Sequence, residues 1–196
     1  HLLCSTVNGK DLLNYLMMLI TRDMIPNEKT EEFQRYTYNK QNNYEGITEF
    51  KRILNYYMNY KFRESVINKI TSNFDIYFDS NLFYVSEKEL LQISNSGNVI
   101  GSHTVDHPLM SKLSRDDQFH QIRQSFNYLE SIGCLSEKTY CHPYGGNISY
   151  NQDTIDILNN ENVLYSFSVE SKLLDNNDII NSRQTLPRFD CNEFPN

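Results

Sequence analysis

The sequence predicts an α/β fold preceded by a helical segment, and two patterns support this prediction. Residues 10–24 are dense in Leu and Met, and residues 47–70 place apolar side chains at steps of three and four. From about residue 81, helical patterns alternate with short extended ones. This alternation is typical of layered α/β folds with mostly parallel strands. We therefore expect a helical insertion or lobe over residues 1–80 and an α/β domain over residues 81–196.

The helical segment divides at a polar stretch. Its first helix is predicted over residues 10–24 and is closed by Pro26, and residues 39–44 are expected to form a loop. Apolar side chains then recur at helical spacing and predict two further buried faces. These faces consist of Ile47, Phe50, Leu54, Tyr57 and Met58, and then of Phe62, Val66, Ile67 and Ile70.

In the second half, the predicted elements carry their own start and stop signals. Ser86 and Glu89 form a capping box that opens a helix ending at Gly97, and a short strand over residues 98–100 follows. Ser114 opens the next helix and Gly133 ends it. The expected apolar face of that helix consists of Phe119, Ile122, Phe126 and Leu129. The remaining predictions are a strand over 138–141, a turn over 143–147, a helix over 152–160 and a strand over 163–169.

Composition excludes several classes of partner. The chain has 196 residues and a formal net charge of −7, so it lacks the basic surface that phosphate backbones select. Nucleic acid and anionic membrane surfaces are therefore not expected partners. The longest apolar stretch, residues 12–20, is too short to span a bilayer and lacks the flanking features of a signal peptide.

The cysteines favour a reducing compartment. Cys4, Cys134, Cys141 and Cys191 include no CxxC pair, which excludes a thiolate zinc knuckle and disfavours a disulfide framework in a chain of this length. Unpaired thiols are typical of the cell interior, and we therefore expect a cytoplasmic location.

Two histidines four residues apart form the first candidate site. The run Gly-Ser-His-Thr-Val-Asp-His-Pro over residues 101–108 places His103 and His107 on one side of a helical turn, where both can meet one metal ion. The run follows a short apolar strand, and ligands of parallel α/β folds collect at the carboxyl ends of strands. The alternative is a surface turn with two ordinary histidines.

A tight turn forms the second candidate site. The run Cys-His-Pro-Tyr-Gly-Gly over residues 141–146 follows another predicted strand. Its backbone N–H groups can point into a cleft and stabilise a developing oxyanion. The alternative is an ordinary loop between a strand and a helix, with a packed Tyr.

Together, the two runs resemble the polysaccharide deacetylase family, also known as NodB-homology or carbohydrate esterase 4 enzymes. Ser-His-Thr-x-x-His-Pro is followed by Leu113-Ser114, an amphipathic helix, Gly133 and a strand leading to His-Pro-Tyr-Gly. This order is similar to the second family motif, His-(Ser/Thr)-x-x-His, and the third, Arg-x-Pro-Tyr or a Pro-Tyr-Gly variant. The resemblance covers about residues 83–194, and its ending is similar to members that act on bacterial surface sugars.

The resemblance implies a NodB-type distorted (β/α) barrel, incomplete in this sequence, with a helical N-terminal insertion. It also implies a metal-dependent hydrolase that removes acetyl groups from a carbohydrate, with a divalent metal that is usually zinc. By motif, His103 and His107 match the two metal histidines. Tyr144 matches the residue whose backbone N–H holds the tetrahedral intermediate, and Thr104 matches the residue that braces the metal loop.

Three further residues are candidates beside these motifs. His142 neighbours the tight turn and is a candidate to face the metal or the sugar. Arg188 and Asp190 follow Leu186-Pro187, where a polar residue orients the catalytic base in the resembling enzymes. The alternative for Arg188 and Asp190 is a surface salt bridge, which contributes little to stability.

Parts of the family pattern are missing from the sequence. The first motif, Thr/Ser-Phe-Asp-Asp, supplies the base and the third metal ligand, and its nearest string is Asn-Phe-Asp-Ile over residues 73–76. The Leu-x-His motif of the general acid is also absent, and Cys141 replaces the Arg of the third motif. Two hypotheses follow: a deacetylase of N-acetylated sugars whose Asp pair is encoded upstream of His1, or a non-catalytic relative that binds carbohydrate or acts as a scaffold.

Overall fold

Two units make up the chain in the computed structural model, one over His1–Ser80 and the other over Asn81–Asn196. The structure describes residues 2–26, 30–39, 41–79, 82–189 and 193. Within these ranges the first unit is helical, whereas the second combines helices with short parallel strands.

The first unit is built from helices whose apolar faces are buried. Most of the predicted apolar positions are confirmed, since Ile47, Phe50, Leu54, Val66 and Ile70 are all at most 5% exposed. The elements are α1 (Leu2–Thr6), α2 (Gly9–Leu19), a 3-10 turn (Arg22–Met24), α3 (Thr30–Tyr36), α4 (Ile47–Arg52), a π-helical turn (Ile53–Tyr57) and α5 (Tyr60–Asn73).

The helix predicted from residue 47 changes its winding at Ile53. Met58 N donates to Ile53 O over 2.8 Å, which is the i to i+5 bond of a π-helix. A π turn holds more residues than an α turn, so near-neighbours in sequence can face the same side. The buried residues of this turn are Ile53, Leu54, Tyr56 and Tyr57.

Parallel pairing around one short strand organises the second unit. Strand β1 (Thr139–Cys141) pairs in parallel with β2 (Tyr165–Phe167), and Tyr140 lies opposite Ser166. Single parallel bridges extend the pairing to Ser102 beside β1 and to Leu186 beside β2. The order across the sheet is therefore Ser102, β1, β2 and Leu186. The distorted (β/α) barrel, incomplete in this sequence, that the family resemblance implies stays a prediction.

The strand predicted over residues 98–100 is wrong, because pairing begins only at Ser102. Ser102 N donates to Thr139 O, and Cys141 N donates to Ser102 O, each over 2.9 Å. In this register residues 98–100 would face residues 136–138, and the chain bends at residues 136 and 137. Gly101 allows the close approach, since a Cβ there would lie 2.6 Å from Thr139 Oγ1.

Two helices of the second unit begin at the polar residues that the sequence indicated. Ser86 N donates to Glu89 Oε2 over 2.7 Å, which confirms the predicted capping box. Ser114 Oγ caps the next helix by accepting from Asp117 N. The elements are α6 (Glu87–Asn95), a 3-10 turn (Met110–Lys112), α7 (Arg115–Ser131), α8 (Gln152–Asn160) and α9 (Asn176–Asn181). None of the helices in the described ranges has the length and apolar character needed to cross a membrane.

Helices α7 and α8 and the central strand enclose the core of the second unit. Its contributors are apolar, and each is at most 3% exposed. They are Met110, Ile122, Phe126, Tyr140, Ile157, Leu158 and Val163.

One predicted core position of α7 is wrong. Phe119 is 44% exposed, and its neighbour Gln118 is fully buried instead. Gln118 Nε2 donates to Leu113 O over 3.3 Å and to Asn151 Oδ1 over 3.2 Å, and Gln118 Oε1 accepts from Thr154 Oγ1 over 2.6 Å. A buried amide with these partners is stable inside the protein, so the inward face of α7 begins at Gln118, while Ile122, Phe126 and Leu129 are buried as predicted.

A buried carboxylate connects the two core helices and the central strand. Glu161 directly follows α8 and is 7% exposed. Its Oε1 accepts from Arg123 Nη1 over 2.8 Å, and its Oε2 lies 3.6 Å from Lys138 Nζ. Arg123 belongs to α7, and Lys138 directly precedes β1. Glu161 therefore holds together the elements on which both candidate loops depend.

Replacing Glu161 by Ala removes the acceptor that Arg123 and Lys138 share. We expect the free energy of unfolding to fall by about 1–3 kcal/mol, because the carboxylate is buried while both cations keep contact with water. Urea-induced unfolding of the purified variant measures this loss. The control Glu137→Ala changes an exposed carboxylate and should stay within about 0.5 kcal/mol of the wild type. Equal losses in the two variants would contradict the role of Glu161.

Candidate metal and catalytic site

The parallel sheet collects the candidate residues at one edge. Ser102, β1 and Leu186 run in the same direction, so the residues that follow them emerge at the same carboxyl edge. The residues that come after these segments include His103, His142 and Arg188. Open parallel sheets bind ligands at this edge, which makes it the candidate functional site of the second unit.

His103 and His107 lie together, as the sequence predicts, although not on a helical turn. Their ring centroids are 4.7 Å apart, with the ring planes at 69°. The segment between them is bent and non-helical, and Thr104 and His107 adopt left-handed backbone angles with φ of 70° and 51°. His107 N donates to Thr104 Oγ1 over 3.1 Å, so the Thr104 side chain braces this histidine loop, residues 103–107. The expected helical turn is therefore wrong, because these left-handed residues fold the chain back instead.

A backbone carbonyl orients the first histidine. His103 Nδ1 lies 2.7 Å from Cys141 O at the end of β1. A carbonyl oxygen only accepts, so Nδ1 carries a proton, which leaves Nε2 as the ring nitrogen that can act as an electron-pair donor. Fixing one ring nitrogen in this way sets the tautomer and orientation of a metal-binding histidine. The residue that replaces the family Arg thus acts on the site through its backbone.

Helix α7 holds the tip of the histidine loop through a side chain that sequence reasoning missed. Gln121 Oε1 accepts from Val105 N over 3.1 Å and from Asp106 N over 3.0 Å, and Gln121 Nε2 donates to Asp106 Oδ2 over 2.7 Å. At the base of the loop, Ser102 Oγ lies 2.5 Å from Ser125 Oγ on the same helix. Helical periodicity places Gln121 beside the core position 122 but gives no signal of these contacts.

The tight turn brings Tyr144 against the second histidine. The Tyr144 and His107 ring centroids are 4.8 Å apart. Tyr144 and Gly145 both adopt left-handed backbone angles, with φ of 62° and 65°. A Cβ on Gly145 would lie 2.5 Å from Val169 Cγ1, so only glycine fits at this position. The turn therefore joins His103, His107 and Tyr144 in one cluster.

His142 is buried and contacts other residues than this cluster. It is 1% exposed, its ring stacks on Tyr150 at 4.1 Å, and its Nε2 lies 2.7 Å from Gln184 O. Its Nδ1 has no hydrogen-bond partner among the described residues. Burial lowers the pKa of His142 to about 4, because the imidazolium would lose its hydration; the His103 charge acts in the same direction and the Gln184 bond opposes it. This placement favours a positioning role over contact with a substrate.

The third pair of candidates follows the last parallel segment. Arg188 is exposed, and its Nε donates to Ser168 O over 3.0 Å while its N–H donates to Glu170 O over 3.0 Å. These bonds hold Arg188 at the carboxyl edge, next to the residue that follows β2. Asp190 lies outside the described residues.

The histidine pair fits two positions of a divalent metal ion. Imidazole nitrogens are preferred zinc ligands, and a catalytic zinc ion usually takes three protein ligands and a water molecule. Across the described ranges, no group of three or more His, Cys, Asp or Glu side chains is placed to hold an ion. His103 and His107 therefore fit part of a zinc site, and a third ligand is not among the described neighbours.

The part of the chain that contains both candidate loops matches a known family. Residues 50–165, more than half of the chain, match the family model described as polysaccharide deacetylase. The chain belongs to the polysaccharide deacetylase family. The match includes both candidate loops. It begins in the first unit and ends at the start of β2, whereas the motifs alone placed the resemblance over residues 83–194.

A solved structure supports the same fold for this deacetylase-family chain. The Streptococcus pyogenes deacetylase PplD in complex with acetate aligns with a TM-score of 0.50 and 18% sequence identity, over 65% of this chain and 58% of that one. The chain thus spans less than two thirds of the length of that deacetylase. An identity this low shows the fold alone. None of the curated proteins is similar enough in sequence to count as a match.

The buried His142 predicts a specific loss of stability in acid. Between pH 6.5 and about 4, the unfolded chain takes up a proton at His142 that the folded chain does not, so stability falls as the pH is lowered. Over this pH interval the free energy of unfolding falls by about 3 kcal/mol. Unfolding free energies of the wild type and His142→Gln, measured from pH 7 to 4, should converge as the pH falls.

The control for this measurement is His120→Gln, which changes an exposed histidine of α7. His120→Gln should keep the wild-type pH profile. Parallel profiles of the wild type and His142→Gln would show that His142 is not the acid-sensitive group.

Proposed function

We propose that this chain is a metal-dependent hydrolase that removes N-acetyl or O-acetyl groups from a poly- or oligosaccharide or an activated sugar. The observation that carries the proposal is the histidine pair, held 4.7 Å apart at the carboxyl edge with Cys141 O behind His103. Family membership supports deacetylation as the type of reaction. The acetate in the PplD structure is consistent with an acetyl group as the part released.

The metal we propose is zinc, held by Nε2 of His103 and by the ring of His107. When bound, zinc supplies Lewis acidity that polarises a carbonyl and makes a bound water more acidic. The Cys141 carbonyl keeps the proton of His103 on Nδ1, away from the proposed ligand atom. The left-handed backbone of Thr104 and His107 folds the loop back, and the two ring centroids lie 4.7 Å apart.

The remaining candidates are proposed to act around this pair. The ring of Tyr144 packs on His107, and its left-handed backbone is proposed to direct its N–H group towards the oxyanion of the acetyl carbon. His142 is proposed to fix the end of β1, and so the Cys141 carbonyl, through its bond to Gln184 O. Arg188 and Asp190 are proposed to orient a catalytic carboxylate or the sugar.

The second candidate function is a non-catalytic carbohydrate-binding or scaffold protein with the same fold. It is favoured by the absence of a third metal-binding side chain beside the pair, within the part of the chain that the structure describes. The two functions differ in one observable property. Only the enzyme releases acetate, whereas the binding protein holds the acetylated sugar without hydrolysing it.

Zinc titration tests the histidine pair directly. His103→Ala and His107→Ala should each weaken zinc binding by at least about 10-fold, because each removes one of the two imidazole ligands. Bound zinc per chain, measured by equilibrium dialysis, gives the affinity. His120→Ala removes an exposed histidine of α7 and should bind like the wild type. Unchanged affinity in both loop variants would show that His103 and His107 are not the metal site.

Acetate release tests the reaction. The protein, supplied with zinc or cobalt and an N-acetylated oligosaccharide, should release acetate, and His103→Ala should abolish the release. Quantified free acetate is the measurement, and metal-free protein is the control. Binding of the oligosaccharide without acetate release would support the non-catalytic function instead.

A further inference from the structure

We propose that Gln121 is the positioning residue that holds the histidine loop in its metal-binding shape. The inference rests on the proposed function in one respect: the shape matters because His103 and His107 are taken to share a metal ion. Gln121 itself touches neither imidazole in any contact described above. It acts through the backbone between the two histidines.

Gln121 contacts Val105 and Asp106, at the tip of the histidine loop. None of the hydrogen bonds described above joins another side chain to these two residues. Its Oε1 accepts from two consecutive backbone N–H groups, Val105 N at 3.1 Å and Asp106 N at 3.0 Å. Its Nε2 donates to Asp106 Oδ2 at 2.7 Å, which aligns the carboxamide plane with the loop. One amide side chain therefore makes three hydrogen bonds to two adjacent residues.

These bonds are placed where the loop needs them. Thr104 and His107 have left-handed backbone angles, which non-glycine residues rarely adopt. Val105 and Asp106 lie between them, so a fixed position for their two N–H groups fixes how the strained residues turn the chain. Ser102 Oγ, bonded to Ser125 Oγ, anchors the base of the loop to the same helix. Helix α7 thus provides a rigid support on which the two rings meet.

Chemistry limits which side chain can do this at position 121. The two backbone N–H groups require an acceptor, and the Asp106 carboxylate requires a donor. A carboxamide provides both. A carboxylate at position 121 would keep the acceptor but would face the charge of Asp106, and an alanine would provide neither group.

The geometry allows a reciprocal exchange as the test. Gln121→Glu alone should disrupt the loop, because two carboxylates then face each other. The double variant Gln121→Glu with Asp106→Asn reverses the direction of the side-chain bond and keeps the net charge, so it should restore the loop. Asp106→Asn alone should resemble the wild type, since its side-chain oxygen still accepts from Gln121 Nε2. Asn127→Ala, an exposed amide on the same helix, is the matched control.

Two measurements separate positioning from stability. In the metal-free protein, proton NMR records the nuclear Overhauser contact between the rings of His103 and His107, whose centroids are 4.7 Å apart. In the metal-loaded protein, zinc affinity should fall by about 10–100-fold in Gln121→Ala and Gln121→Glu, as expected when a supporting residue behind a metal ligand is lost. Both properties should return in the double variant. The unfolding transition should stay close to the wild type throughout, because Gln121 bonds to an exposed loop.

The outcomes distinguish this inference from the proposed function. A wild type that binds no zinc refutes the metal site, while the ring contact in the metal-free protein still decides the role of Gln121. Persistence of the ring contact in Gln121→Ala overturns the inference, and so does wild-type zinc affinity in that variant. A double variant that folds but regains neither property overturns it as well. Loss in both single Gln121 variants with recovery in the double variant supports it.

Discussion

The parallel pairing of β1 with Ser102 is the interaction on which the rest of the second unit depends. Cys141 contacts the neighbouring segment with both of its backbone groups. Its N–H donates to Ser102 O over 2.9 Å, and its carbonyl lies 2.7 Å from His103 Nδ1. The same register that joins the two segments therefore also sets the orientation of the first histidine. Because β2 pairs on the other side of β1, any shift of this strand would move both candidate loops at once. Glu161 reinforces the arrangement from the helix side through Lys138 and Arg123.

Backbone strain in the second unit is concentrated in the two loops of the site. Thr104, His107 and Tyr144 all have positive φ angles, in a region that non-glycine residues rarely occupy. Strained residues persist only where their surroundings hold them, and such residues cluster at functional sites. Here the surroundings are identifiable: Thr104 Oγ1 accepts from His107 N, and Gln121 accepts from the residues between them. The strain is thus balanced by bonds made within the loop and to α7.

Metal binding and acetyl hydrolysis make different demands on the residues at this edge of the sheet. Two neutral imidazoles suffice to attract a borderline metal such as zinc, whereas catalysis by zinc ordinarily needs a third protein ligand and a base for the attacking water. Across the described residues, no third His, Cys, Asp or Glu side chain joins the histidine pair at this edge of the sheet. Metal binding and acetyl hydrolysis are therefore separate questions for this chain. The buried His142 contacts Tyr150 and Gln184 O instead of the histidine pair.

The sequence by itself determined helices α6, α7 and α8 of the second unit, because their ends depend on local signals. Ser86, Ser114 and Gly133 mark boundaries through bonds or backbone angles within a few residues, and helix α8 matches its predicted range. The sequence also determined that His103 and His107 belong together, since a spacing of four allows few arrangements. Only the tertiary structure decided how they meet. The strand expected before them is absent because its register neighbours bend away. Gln118 replaces Phe119 in the core because two distant residues, Asn151 and Thr154, and the nearby Leu113 satisfy its amide. Likewise, His103 contacts a residue 38 positions away, and Gln121 contacts loop residues 15 and 16 positions away. No local sequence pattern encodes a bond across such separations.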